Sequence, residues 1–331
     1  MRPWESPGRM FVTTQHIDKL FQEIATSGYA LLAMTQFRRI IMLTKEQLQN
    51  KIAAGLRFLD GATGSNLQKS GMPKGCCTEK FVLENPEILQ NLQRAYAASS
   101  SQILYAPTFQ AQPIALERVG LADQTEKVNT KLISLSRAAA PDCLIAGDLT
   151  TLAAFCESWN PDNIDLLIDN YRRQIRGLID GGADLLVAET LMYPLEAEAI
   201  MAAAEMEGAG AVMYSFVMTA DGALFSGQDA VPVLKDLADS GAAAVGFNCV
   251  AADMMTPYLV RKLAKEIRIP ILCKPNAGNP TINAAGVPEY DMDAEEFAKI
   301  VLDCHRSGAR LLGGCCGTTP AHIAALTELF K

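Results

Sequence analysis

Eight short apolar runs, separated by stretches of helical period, set the fold that this chain can adopt. The runs are Arg57–Thr63, Gln102–Phe109, Cys143–Leu149, Asp184–Thr190, Ala211–Val217, Ala243–Cys249, Ile269–Pro275 and Ala309–Cys315. Their continuous apolar character suits parallel strands buried on both faces. Between them, Pro161–Gly181 carries a single stripe of Ile164, Leu167, Ile168, Tyr171, Ile175, Leu178 and Ile179, the spacing of an amphipathic helix. Pro86–Ser100, Val231–Ser240, Met254–Ile267 and Ala294–Ser307 repeat that pattern, and Gly181-Gly182, Gly241 and Gly308 stand where a left-handed residue would end a helix. Strand followed by helix, eight times over, predicts a (β/α)8 barrel in one domain. The alternative is a doubly wound open sheet, which expects a glycine-rich phosphate turn after its first strand. Leu59-Asp-Gly-Ala-Thr-Gly-Ser65 lacks the full dinucleotide fingerprint.

Residues 1–41 differ in character and read as an N-terminal extension, with the barrel taking residues 42–331. They hold a short amphipathic stretch (Ile17, Leu20, Phe21, Ile24) and then Arg38-Arg39. The extension is either an added helix or sequence upstream of a start at Met42, and Thr44-Lys-Glu-Gln favours the second by opening a helix with a capping signature. A net charge of −8 without a Lys/Arg block counts against nucleic acid and anionic membrane as partners. No apolar run reaches the length of a membrane span. Nine cysteines without a secretory signal point to a reducing cytosol, and to metal or catalytic use rather than disulfides.

In a barrel, chemistry gathers at the C-terminal strand ends. Those ends carry Asp60-Gly61, Thr108-Phe109, Asp148, Glu189-Thr190, Asn248-Cys249, Lys274 and Gly314-Cys315-Cys316. Cys143, Cys156, Cys273 and Cys304 lie inside apolar periods and read as small core hydrophobes. Cys76-Cys77, in a loop after the first run, read as exposed thiols. Cys249, Cys315 and Cys316 stand apart from both groups. Adjacent strand residues point to opposite faces, so Cys315 and Cys316 can share one ion only where the strand breaks, and Gly313-Gly314 and Gly317 supply that break. Three thiolates with a fourth position open describe a zinc site that accepts a substrate thiol. Such a zinc is a poor hydrolytic centre, but it keeps a bound thiol deprotonated and nucleophilic, which predicts alkyl transfer to sulfur. Asp60 and Glu189 are then candidate anchors for an ammonium group; as strand-end carboxylates they also suit helix capping or pairing with a base.

These residues resemble the homocysteine S-methyltransferase family, most of all the homocysteine-binding module of cobalamin-dependent methionine synthases. The likeness rests on Leu59-Asp-Gly-Ala-Thr-Gly-Ser, Leu83-Glu-Asn-Pro-Glu, Pro107-Thr-Phe-Gln-Ala, Ala188-Glu-Thr, Gly246-Phe-Asn-Cys, Lys274-Pro-Asn-Ala-Gly and Gly313-Gly-Cys-Cys-Gly-Thr-Thr-Pro, spread over roughly residues 56–330. It implies zinc held by Cys249, Cys315 and Cys316, and homocysteine across the barrel mouth with its amino group near Glu189 and Asp60. It further implies that backbone amides from Gly61 through Ala62 and Thr63 receive the carboxylate. Asn248 would support the site, and Thr108, Phe109 and Thr190 would shape the pocket.

Two positions depart from the family pattern. Ala106-Pro107-Thr108-Phe109 replaces the usual Thr-Asn-Thr-Phe, and Thr63 stands where a larger apolar or aromatic residue is common. The resemblance leaves the methyl donor open between a separate corrinoid protein and a small donor such as S-methylmethionine or a betaine. Two rivals remain on the residues alone. Lys274 ends the seventh run, where a Schiff-base aldolase would place its lysine, and a zinc subunit that only binds thiols or docks a partner would need the same cysteines.

Overall fold

In a computed structural model of the chain, the described residues are 42–153, 164–283 and 288–331. The chain divides into two units, Met1–Ile40 and Ile41–Lys331, and the described residues all lie in the second. The predicted extension and Cys156 lie outside the described residues.

Seven strands form one parallel sheet in chain order: β1 (Ile103–Tyr105), β2 (Leu144–Leu149), β3 (Leu185–Leu191), β4 (Val212–Phe216), β5 (Ala244–Ala251), β6 (Ile271–Asn276) and β7 (Ala309–Leu312). Its two edges meet through a two-residue segment. Phe58 bridges Leu312 and Leu59 bridges Ile103, both in parallel register. Leu59 N–H donates to Leu312 O at 2.8 Å and Gln102 N–H donates to Phe58 O at 2.8 Å. That segment fills the eighth place and closes the barrel, so among the described residues the barrel sheet itself has no open edge.

Three predicted strands are much shorter than the sequence suggests, and the second, expected over Gln102–Phe109, pairs only over Ile103–Tyr105. The first, expected over Arg57–Thr63, pairs only at Phe58 and Leu59, because the Asp60 side chain then takes over: its Oδ2 accepts the Tyr105 N–H at 2.8 Å. The last, expected to reach Cys315, ends at Leu312. Beyond it Gly314 N–H crosses to Asp60 O at 3.0 Å and Cys315 N–H reaches Pro275 O at 2.7 Å, an irregular pairing that bends the chain inward. β5 instead runs two residues past Cys249, with a register shift between Asn248 and Ala251.

The interior of the barrel is packed by Leu59, Ile103, Tyr105, Ala146, Leu185, Val187, Met213, Leu272 and Leu311. Its N-terminal end is plugged by helix α1 (Lys45–Ala53), whose Leu48 and Ile52 join that core. Thr44 and Gln47 form the capping box read from the sequence. Leu43 and Gln49 bond to backbone just before β3, β4 and β5: Leu43 N–H to Asp184 O, Ala211 N–H to Leu43 O, and Gln49 Nε2 to Ala243 O. Outside the sheet, helix Ile164–Asp180 buries Leu167, Tyr171, Ile175 and Leu178 of the predicted stripe, with Ile164, Ile168 and Ile179 packed alongside. With the bottom closed by α1, chemistry is confined to the C-terminal mouth.

Candidate metal and thiol-binding site

Two strand ends bring the thiols together. Cys249 sits where β5 shifts register and adopts a left-handed φ of +57°, uncommon for a residue with a side chain. Cys315 and Cys316 follow the bend after β7. Thr318 fixes that bend: its Oγ1 donates to Cys315 O at 2.7 Å and accepts the Ala62 N–H at 3.0 Å. Gly314 permits it, since a Cβ there would lie 2.5 Å from Thr318 Oγ1. The three Sγ atoms lie within 4.8 Å of one another, with Cys249 and Cys316 at 3.9 Å. Among the described residues no other group of His, Cys, Asp or Glu is clustered this closely. Hydrogen bonds from Cys249 and Cys315 pull the Cys316 thiol down to about 3. The trio therefore gives up a first proton readily, and that charge is shared by hydrogen bonds among the three sulfurs.

The trio lines a cavity of about 290 Å³, small enough to suit an amino-acid-sized ligand. Of the predicted site residues, Gly61, Ala62, Thr63, Phe109, Glu189 and Thr190 share its wall. Asp60, Thr108 and Asn248 stand behind it. Thr108 Oγ1 both donates to Asp148 O and accepts the Asp148 N–H, at 2.9 Å each, so it holds the end of β2. Asn248 clamps the end of β3. Its Oδ1 accepts the Thr190 N–H and the Ser215 hydroxyl at 2.8 Å each, and its Nδ2 donates to Thr190 Oγ1 at 2.7 Å. Thr190 is thereby kept at a φ of +60°. The loop from Gly61 is pinned as well, with Tyr96 O–H donating to Ala62 O at 2.8 Å. Because the Ala62 N–H is already given to Thr318, that amide is committed within the fold.

Below the thiols lies a buried charge cluster. Lys274 Nζ stands 3.3 Å from Asp60 Oδ1, 3.5 Å from Glu189 Oε2 and 4.0 Å from the Tyr105 ring centroid. Burial works against the Lys274 charge, yet Glu189 and Asp60 together hold its pKa well above the ordinary lysine value. An ammonium so placed is protonated, whereas Schiff-base formation needs a free amine. The ion pairs with Asp60 and Glu189 therefore count against the aldolase reading of Lys274. Burial pushes Glu189 up to about 7 against the pull of Lys274. Asp148 is raised well above the carboxylate range by burial first and the Glu189 charge second.

Sequence reasoning missed two neighbours. Glu79 is buried in the cavity wall, where Oε1 accepts the Gln110 N–H at 2.7 Å and Oε2 accepts the Cys77 thiol at 3.2 Å. Tyr290 packs against Gly317 and gives Cys316 a hydrogen bond. Neither lies at the end of a barrel strand, so the search of barrel tips passed over them. Cys77 is thus tied to Glu79 and Cys76 is exposed, while Cys143, Cys273 and Cys304 are buried and apart from the trio, as expected of core thiols. Among the described residues no helix is long and apolar enough to cross a membrane.

Fold and site together define a parallel barrel with a three-thiol cluster at its mouth. The family model for homocysteine S-methyltransferases matches residues 57–330, and the chain belongs to that family. It is 27% identical over 302 residues to methionine synthase from Mycobacterium leprae, an alignment covering 84% of this chain and 24% of that protein. The chain thus spans about a quarter of that relative's length. Among solved structures it is similar to the homocysteine methyltransferase MmuM from Escherichia coli. The metallated form gives a TM-score of 0.70 at 26% identity, covering 82% of this chain and 96% of the other. The oxidized form gives 0.71 at the same identity, covering 82% and 95%.

Proposed function

We propose that this protein methylates the sulfur of homocysteine, giving methionine, with zinc held by Cys249, Cys315 and Cys316. The observation that carries the reading is the thiol spacing. Two thiolates on a tetrahedral zinc, each at about 2.3 Å, lie roughly 3.8 Å apart, and Cys249 and Cys316 stand at 3.9 Å. Thiolates are also the donors that select a soft or borderline ion. Zinc bound there would leave one position for the substrate thiol and hold it deprotonated near neutral pH.

The protein's own residues then have separable tasks. The buried carboxylates under the thiols attract the substrate ammonium. Amides at Thr63 and Gly64, next to the committed Ala62, receive its carboxylate. Pro107 and Phe109 line the same cavity and shield the sulfur from water, which strengthens the electrostatics inside. The cluster carries enough negative charge to keep sulfur electron-rich, which favours attack on a methyl carbon over hydrolysis. We take the donor to be a methyl-corrinoid on a separate protein, on the likeness to methionine synthase.

Metal analysis of the purified protein, followed by methylation assays of homocysteine, tests the reading. The donor arms are methylcobalamin on a carrier protein, S-methylmethionine and a betaine. Bound zinc at one per chain and methionine formed in the first arm are the expected results. Reduced protein that binds no metal and methylates no thiol overturns the reading. Turnover with a small donor alone overturns the corrinoid assignment and leaves the thiol chemistry standing.

A further inference from the structure

We propose that Asp148, at the end of β2, is the residue that selects an acceptor thiol bearing an ammonium group. The inference rests on the thiol-methylating reading of this site and adds a role that neither the sequence motifs nor the family likeness assigns. Asp60 and Glu189 are the obvious anchors, but both face Lys274 at 3.3 and 3.5 Å. One fixed cation therefore already occupies the position that a substrate ammonium would take between them. Asp148 is the third carboxylate of the same cluster. It lines the cavity, is 4% exposed, and its Oδ1 is buried without a hydrogen-bond partner. A buried acceptor left empty costs about 1–3 kcal/mol, so such an atom in a pocket wall is poised for a donor that arrives with the ligand.

Charge balance points the same way. Burial and the Glu189 charge hold the unpartnered Asp148 carboxyl toward its protonated form, and an ammonium entering beside it supplies the opposite charge that lets it ionise. The backbone of Asp148 is fixed on both sides by Thr108 Oγ1, which makes its side chain a preorganised contact rather than a mobile one. Asp60, by contrast, is a positioning residue: it holds Lys274 and the Tyr105 amide.

Calorimetric titration of the zinc-loaded protein with L-homocysteine and with 4-mercaptobutanoate, which lacks the amino group, tests this without any methyl donor. The parent protein should prefer homocysteine by roughly 10- to 100-fold, the range for a charged hydrogen bond in a buried site. Asp148→Asn, which keeps the shape, should lose most of that preference by weakening homocysteine alone, at unchanged metal content and melting temperature. An unaltered preference in Asp148→Asn overturns the assignment, as does a parent protein that binds both thiols equally. If neither thiol binds the zinc-loaded parent, the thiol-methylating reading itself has failed.

Discussion

Lys274 Nζ lies 3.3 Å from Asp60 Oδ1, and the two side chains are 4% and 1% exposed. Removing one partner of such a pair leaves a charge in the interior without compensation. Lys274→Met should therefore destabilise the barrel by about 3 kcal/mol or more, read as a lower urea midpoint at unchanged slope. The parent protein should also resist borohydride trapping at Lys274 with carbonyl compounds. A Lys274→Met variant as stable as the parent would mean that the pair contributes nothing net.

Cys316 lies beyond the end of β7 and is partly exposed, and its side-chain partners are the other thiols and Tyr290. Cys316→Ala should lose the bound metal and thiol methylation together while the circular dichroism of the barrel stays intact. Retention of full metal content and activity in the variant would show that the trio is not the metal site.

The parts of this molecule that follow from local pattern were legible in the sequence. Seven of the eight apolar runs became strands within two residues of their expected starts, and the Cys249, Cys315 and Cys316 grouping followed from glycines that break a strand. The shortening of the first and last strands was not legible, because Asp60 and Gly314 end the regular pairing through contacts with Tyr105 and with each other. Lys274 illustrates the same boundary. Its position at a barrel tip could be read, but its pairing with Asp60 and Glu189 joins residues 214 and 85 positions apart (274 − 60 and 274 − 189). Local period carries no information about such contacts. The unpartnered oxygen of Asp148 is legible only once the three strand ends meet.

Asn248 saturates Thr190 from both sides, and Thr190 is β-branched with a positive φ, a conformation that needs outside support. Asn248→Ala leaves the Thr190 amide and the Ser215 hydroxyl without their acceptor. A loss of about 3 kcal/mol is expected from the orphaned groups, with weaker metal retention because Cys249 is the next residue. Chemical denaturation and a competitive chelator titration measure the two effects. An unchanged chelator midpoint would separate the Thr190 clamp from the metal site.

Glu189 sets a pH dependence whose sign can be worked out. Burial raises its carboxyl from 4.5 to about 7, so the proton is held in the folded protein below that value. The stability associated with that proton is fully present below pH 4.5 and is lost as pH rises through about 7. Ligand binding runs in the opposite direction, because an ammonium held at Asp148 in the same charge cluster favours the ionised form of Glu189. Homocysteine affinity should therefore rise as pH climbs through about 7, and the substrate should in turn lower the apparent pKa of the group. Deprotonation of the substrate thiol adds its own slope, and Glu189→Gln isolates the two. In that variant the step near pH 7 should vanish from the titrations with homocysteine, while 4-mercaptobutanoate should give the same profile in both proteins. An identical homocysteine profile with and without the carboxylate would show that Glu189 does not sense the ammonium.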